Sequence, residues 1–321
     1  MRKSLIKFLM NLFPSKPEFG IHKPKNETIR HNDFLNLSDE DKKFTLETIS
    51  KNHYDEEQDL NFDHFYEYFG INLPHILKNK DVLDLGCSYG GKSVSMAERW
   101  QVSSLEGIDV NPYLIEAGKL FSSNRKSKEK INFKFAKGED LPYDDSNFDA
   151  IVSFDVFEHV QSLEKTLSEC KRVIKEGGFI FSVFPSYFTP TEAHLNSVTR
   201  TPCLQWFFDA KHIQKAYDQI IHSRPIDETY WYYKRGEGGY DWAKLGGGIG
   251  INGTTVDMIK EIAINAGFSR IKIMKAPILS VGHLANKYNN LKQLSKFFKI
   301  FTKINLTKDF FTHRIVTIFV K

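Results

Sequence analysis

The sequence predicts an α/β fold built on a doubly wound, mostly parallel sheet. Apolar runs of strand length alternate with amphipathic runs of helix length from about residue 80 to residue 185. The stretch Phe148-Asp149-Ala150-Ile151-Val152-Ser153-Phe154 is nearly continuous in apolar residues, the pattern of a parallel strand covered on both faces. The strand Val82–Leu85 breaks directly into a glycine-rich turn, Gly86-Cys87-Ser88-Tyr89-Gly90-Gly91, with a helix pattern over Lys92–Trp100 behind it.

Open parallel sheets bind ligands at the carboxyl ends of their strands. Glycines there let a ligand approach the main chain. In a dinucleotide fingerprint the second glycine meets a pyrophosphate; aligned on Gly86 and Gly91, that position holds Ser88. Asp84, two residues ahead of Gly86, would repel a phosphate. A nucleotide-like ligand with a positive end suits this turn better. The second strand, Leu105–Val110, is closed by Asp109, roughly twenty residues beyond the turn, where an acid can accept hydrogen bonds from both hydroxyls of a ribose. Pro112 then opens a helix over Tyr113–Ser122, at the position where its missing N–H costs nothing.

A third strand, Ile131–Ala136, runs into Lys137-Gly138-Glu139-Asp140-Leu141-Pro142-Tyr143. The fourth ends in Asp155-Val156-Phe157-Glu158-His159-Val160. An amphipathic helix over Leu163–Ile174 is stopped by Gly177-Gly178, and Phe179–Pro185 makes a fifth strand.

The segments VLDLGCSYG, GIDVNP, GEDLPYDDSNFDAIVSFDVFEHV and RVIKEGGFIFSV, in this order, resemble the class I S-adenosylmethionine (SAM) dependent methyltransferase family over about Lys80 to Pro185. The resemblance implies a seven-stranded sheet with helices on both faces, an antiparallel last strand, and SAM as cofactor. It implies Asp84, Gly86 and Gly90 along the methionine end of SAM, Asp109 on the ribose, and Gly138-Glu139-Asp140 beside the adenine. Cys87 in the turn and Asp155 at the end of the fourth strand complete the candidate cofactor residues. Ser88 stands where the family most often has glycine, and Lys137 where many relatives carry an acid near the adenine amino group. The second departure leaves the adenine contact open between Glu139 and backbone groups.

Methyl transfer is an in-line displacement that needs proximity, orientation and, for an oxygen nucleophile, a base. His159, beside the cofactor edge, and His194, at the start of the following insertion, are the candidate bases because histidine titrates near neutrality. A hydrogen-bonded structural histidine is the plain alternative for each. Asp155, Glu158 and His159 would share one face if a helical turn starts at the fourth strand, and oxygen and imidazole ligands would suit a divalent ion there. Carboxylates at strand ends are commonplace, so no metal is assigned. The expected function is methylation by SAM, on oxygen, of a small molecule or of a glycan or lipid-linked saccharide. Nitrogen or carbon methylation of an aromatic metabolite or quinone is the alternative, as is a partner subunit that binds SAM without transferring.

The 321 residues suit one catalytic domain over 56–321, carrying an N-terminal arm over 1–55 and a substrate lid inserted over 186–250. That insertion holds Tyr187, His194, Arg200, Trp206, Tyr230, Trp231 and Trp242, with a helix expected over Leu204–Ile221. Residues 14–55 read as an extended arm leading into short helices, and Leu60–Phe69 as a cap helix. Thr254 and Thr255 cap a helix running through Ala266, Ile271–Ile273 reads as a strand, and Arg314–Val320 as the last strand in an edge hairpin.

A net charge of +4 argues against nucleic acid as an obligatory partner. Three cysteines without zinc spacing fit a reducing cytoplasm. No stretch approaches the roughly 18 apolar residues of a spanning helix. The first thirteen residues read as an amphipathic surface helix. Leu291, Leu294, Phe297, Phe298, Phe301 and Ile304 recur at helical spacing beside a stripe of Lys292, Lys296, Lys299 and Lys303. A solvated basic face is the default for that helix; peripheral contact with the inner face of a membrane is the sharper alternative.

Overall fold

The computed structural model describes residues 2–14, 21–22, 28–29, 36–59, 69–190, 195, 198–223, 251–280 and 289–321. His194, the aromatic residues of 224–250 and nearly all of the expected cap helix, over 60–68, lie outside the described residues.

Among the described residues a seven-stranded sheet forms the centre. Its strands are β1 (Asp81–Leu85), β2 (Ser104–Asp109), β3 (Ile131–Phe135), β4 (Phe148–Phe154), β5 (Ile174–Pro185), β6 (Arg270–Pro277) and β7 (Thr312–Val320). They lie in the order β3-β2-β1-β4-β5-β7-β6. Strands β1 to β5 run parallel, and β7 runs antiparallel to both neighbours. As expected, the antiparallel last strand belongs to a hairpin at the edge of the sheet, with β6 on the rim and β7 beside β5. Both faces of β7 are covered, Ile315 and Phe319 lying in one core and Val316 in the other. The chain leaves β1 toward β2 and later returns to its other side as β4, so the loops after β1 and β4 border a topological switch point.

The helices are α1 (Arg2–Met10), α2 (Asp39–Asp59), α3 (Leu73–Leu77), α4 (Gly91–Arg99), α5 (Pro112–Ser123), α6 (Leu163–Val173), α7 (Leu204–Phe207), α8 (Ala210–Ser223), α9 (Val256–Asn265), α10 (Asn289–Phe301) and α11 (Lys308–Phe311). Val82 and Leu83 of β1, fully buried on opposite faces, join different cores. Val82 packs with Val94, Phe121 and Phe133 under α4 and α5, and Leu83 with Leu167, Ile259 and Phe319 under α6 and α9.

Two expectations need correction. Residues 39–59 of the supposed arm are one continuous helix, α2, begun by Ser38: its Oγ accepts from the Asp41 N–H at 3.1 Å, with three acids in the first turn. The helix expected over Leu204–Ile221 is broken at Phe208-Asp209, because the Asp209 carboxylate accepts from the His212 N–H at 3.0 Å and restarts the chain as α8. The N-terminal helix α1 docks on α8, where Ile6 and Met10 are fully buried among Leu204, Ile213, Ala216 and Ile220. Thr201 Oγ1 caps one of its final carbonyls, at Leu9 O (2.7 Å), and the Arg200 N–H holds the chain beyond it, at Phe13 O (2.8 Å).

Candidate functional site

The glycine turn is tied to the end of β2 by three bonds, and a fourth holds the Asp109 carboxylate from its own side. The Gly86 and Cys87 N–H groups donate to Ile108 O at 2.8 and 2.9 Å. The Ser88 N–H donates to Asp109 Oδ2 at 3.1 Å, and the Asn111 N–H to Asp109 Oδ1 at 3.0 Å. Gly90, at φ +73°, caps α4, and a Cβ there would fall 2.6 Å from Gly118 Cα and 2.7 Å from the Phe133 ring. Only glycine meets both conditions. Asp84 lies buried beneath the turn and accepts from Ser93 Oγ at 2.6 Å.

These placements fix the charges. The Asp109 carboxyl is pushed up to about 6, burial being the largest cause, opposed by the backbone donors and raised further by Asp84. A carboxylate offers about four lone-pair positions, and the Ser88 and Asn111 N–H groups do not fill them, which leaves Asp109 able to accept from a ribose hydroxyl. Burial, then Asp109 and Asp84, hold the Cys87 thiol well above its usual range, so it is a neutral part of the wall rather than a nucleophile.

Sequence reasoning missed α2 as part of the site. Ser50 Oγ donates to Tyr89 O at 2.7 Å, and the His53 ring meets Tyr89 edge-on at 5.0 Å. The backbone of Ser50 and Tyr54 lies so close over Gly91 that a Cβ would collide with it. The turn is therefore clamped between β2 and α2. The signal available in the sequence was the Ser38 cap followed by Leu46, Ile49 and His53 at helical spacing.

The ends of β3 and β4 divide the remaining candidates. Gly138 is buried, Asp140 exposed. Glu139 is turned toward α6: its Oε1 accepts from the Gln161 and Ser162 N–H groups at 2.6 and 3.2 Å, which holds the segment after β4 in place. Asp155 sits at φ +56°, a left-handed backbone that cannot start a right-handed helix, and its carboxylate pairs with Arg314 of β7. The shared helical face proposed for Asp155, Glu158 and His159 therefore does not form. Among the described residues no group of three or more metal-ligating side chains comes together. His159 and Glu158 are both buried, with Nε2 and Oε1 3.7 Å apart. Asn252 Nδ2 fixes their loop by donating to Phe157 O at 2.7 Å and Val160 O at 3.0 Å.

Residues 83–182, which contain the turn, Asp109, Glu139 and the loop after β4, match the family described as "Methyltransferase domain". This segment, less than half of the chain, is thus similar to SAM-dependent methyltransferases. The chain is 31% identical over 177 residues to the mitochondrial ubiquinone biosynthesis O-methyltransferase of Candida albicans, covering 51% of each chain. It is 32% identical over 100 residues to norajmaline N-methyltransferase of Rauvolfia serpentina, 31% of this chain and 34% of that one. It is 33% identical over 109 residues to sterol 24-C-methyltransferase of Pneumocystis carinii, 33% of this chain and 28% of that one. The chain thus spans about half or less of the length of these relatives, whose names place the methyl on oxygen, nitrogen and carbon.

The donors at this turn suit SAM, the cofactor that the resemblance implies. Two carboxylates at one glycine turn disfavour a phosphate and favour a ligand with ammonium and sulfonium charges. Beyond β5 the described part of the insertion is anchored by aromatic packing. Trp206 Nε1 donates to Phe188 O at 2.6 Å and its ring meets Phe310 edge-on at 5.1 Å. Of the expected lid aromatics, Trp206 therefore serves packing, and Phe208 beside it packs against the α1 cluster.

Proposed function

We propose that the chain transfers the methyl group of SAM to a small-molecule acceptor, and that the acceptor atom is oxygen. The observation that carries the cofactor half of this reading is Asp109, held by two backbone donors at the carboxyl end of β2 with lone pairs left over. Bound SAM supplies a methyl carbon already activated by its sulfonium.

The residues of the chain do the rest. Asp109 holds the ribose, Gly86 and Gly90 let the methionine portion lie against the main chain, and the buried charge of Asp84 favours its ammonium. Glu139 keeps the loop after β4 rigid from behind, and Gly138 leaves backbone groups to meet the adenine. For an oxygen acceptor, His159 takes the hydroxyl proton as methyl transfer proceeds, and Glu158 beside it stabilises the resulting imidazolium. His194 is the second candidate base. The acceptor class is a hydroxylated small molecule or a lipid-linked saccharide, admitted through the segment after β5.

The test is release of S-adenosylhomocysteine against a panel of phenolic, sugar and lipid-linked hydroxyl acceptors, with amines as comparison. Turnover on a hydroxyl that falls at least a hundredfold in His159→Ala or His194→Ala, with SAM affinity kept, supports the reading, since a general base contributes roughly 100-fold or more. Turnover on amines alone would replace it with N-methylation, and SAM binding without turnover on any acceptor would favour a binding subunit.

A further inference from the structure

We infer that α10 and the turn after it form a docking surface for an anionic lipid bilayer. The inner side of α10 is fixed to the domain. Ser295 and Thr302 are buried, and Phe298 and Phe301 stack on Phe311 with ring centroids 5.7 and 4.8 Å away. Thr307 Oγ1 donates to Phe301 O at 2.8 Å and closes the helix end. The outer side is apolar and exposed: Phe297 is 55% exposed, Ile300 58% and Leu306 83%, with Leu294 and Ile304 beside them. Residues 294, 297, 300 and 304 fall on one stripe at helical spacing. Five large apolar side chains held rigidly in solvent on one short segment are the feature that calls for an occupant.

Charge selects the occupant. From residue 262 to residue 308 the sequence has nine lysines and arginines and no aspartate or glutamate, within a chain whose net charge is only +4. Lys296, Lys299 and Lys303 are exposed along the edge of the apolar stripe. Helix α10 packs beside β6, the rim strand, where Arg270 and Lys272 are also exposed. A nucleic acid would use the cations and leave the phenylalanine and isoleucines in water. An anionic bilayer uses both, with lysines at the headgroups and apolar side chains at the acyl boundary. The surface needs neither cofactor nor acceptor, so its test is independent of the methyltransferase reading.

The experiment is flotation of the full-length chain with vesicles of phosphatidylcholine alone and of phosphatidylcholine mixed equally with phosphatidylglycerol. The expected result is binding to the mixed vesicles, weakened by salt, and little binding to the neutral ones. Lys296→Gln, Lys299→Gln and Lys303→Gln together should lower affinity by about a hundredfold, from about 1 kcal/mol per basic residue at an anionic surface. Phe297→Ser with Ile300→Ser should lower it by a similar factor, with unchanged melting temperature. The salt titration of the unaltered chain stands even if a variant folds poorly. Equal binding to both vesicles, binding unaffected by these variants, or binding lost only when Leu5 and Phe8 of α1 are changed to serine would overturn the proposal. So would preference for an oligonucleotide over mixed vesicles.

Discussion

The Ser88 N–H donates to Asp109 Oδ2 across 3.1 Å, so the glycine turn and the end of the second strand form one wall. The same carboxylate that would hold a ribose also sets the shape of the turn that would hold the methionine portion. Because Asp84 lies beside it, the charges of the two acids are coupled.

That coupling gives a pH prediction. The Asp109 carboxyl titrates near 6 in the folded chain, above its ordinary value, so the fold binds this proton more tightly than the unfolded chain does. The ionised form therefore costs stability above about pH 6, and that cost disappears as the pH falls toward the unfolded value. SAM prefers the ionised form. Its Kd should be flat above neutrality and rise up to roughly tenfold per pH unit below about 6. Calorimetry across that range checks this, and Asp84→Asn should move the limb to lower pH because Asp84 raises Asp109. A Kd independent of pH would remove Asp109 from the ribose contact.

Asp155 should matter less to the cofactor than Asp109. Its carboxylate pairs with Arg314, so Asp155→Asn should change the SAM Kd by no more than about threefold, while Asp109→Asn costs tenfold or more, as expected for bonds to a charged group. The pair is more than half exposed on the Asp155 side, and breaking it should leave the melting temperature nearly unchanged.

Helix α2 should be required for the shape of the turn. Gly91→Ala drives a methyl group into the backbone of Ser50 and Tyr54, where no flexible side chain can yield. Urea unfolding should show a loss of about 1–3 kcal/mol, the range for overpacking, and SAM affinity should fall with it. An alanine variant as stable as the parent would mean that α2 does not clamp the turn.

That Asp84, Gly86, Gly90 and Asp109 gather at one turn was legible because they lie on two adjacent strands and the loop after the first. The strands were legible through apolar runs buried on both faces. What could not be read depends on distant partners. Asp155 meets Arg314, 159 residues later, and its left-handed backbone has no signature in the sequence. Glu139 accepts from the Gln161 and Ser162 N–H groups, a pairing with residues 22 and 23 positions on that no local pattern shows. Helix α2 was obscured because its buried side is narrow, with Leu46 and Ile49 amid charged residues, and its packing on α5 outweighs its composition.

In the proposed function the Gly86–Gly90 turn and Asp109 together bind SAM. Isothermal titration of SAM into the chain and into Asp109→Ala tests it most directly. Saturable one-to-one binding is expected, weakened at least tenfold in the variant while its fold, read by circular dichroism, is kept. No binding at millimolar SAM, or equal affinity in the two proteins, would contradict it.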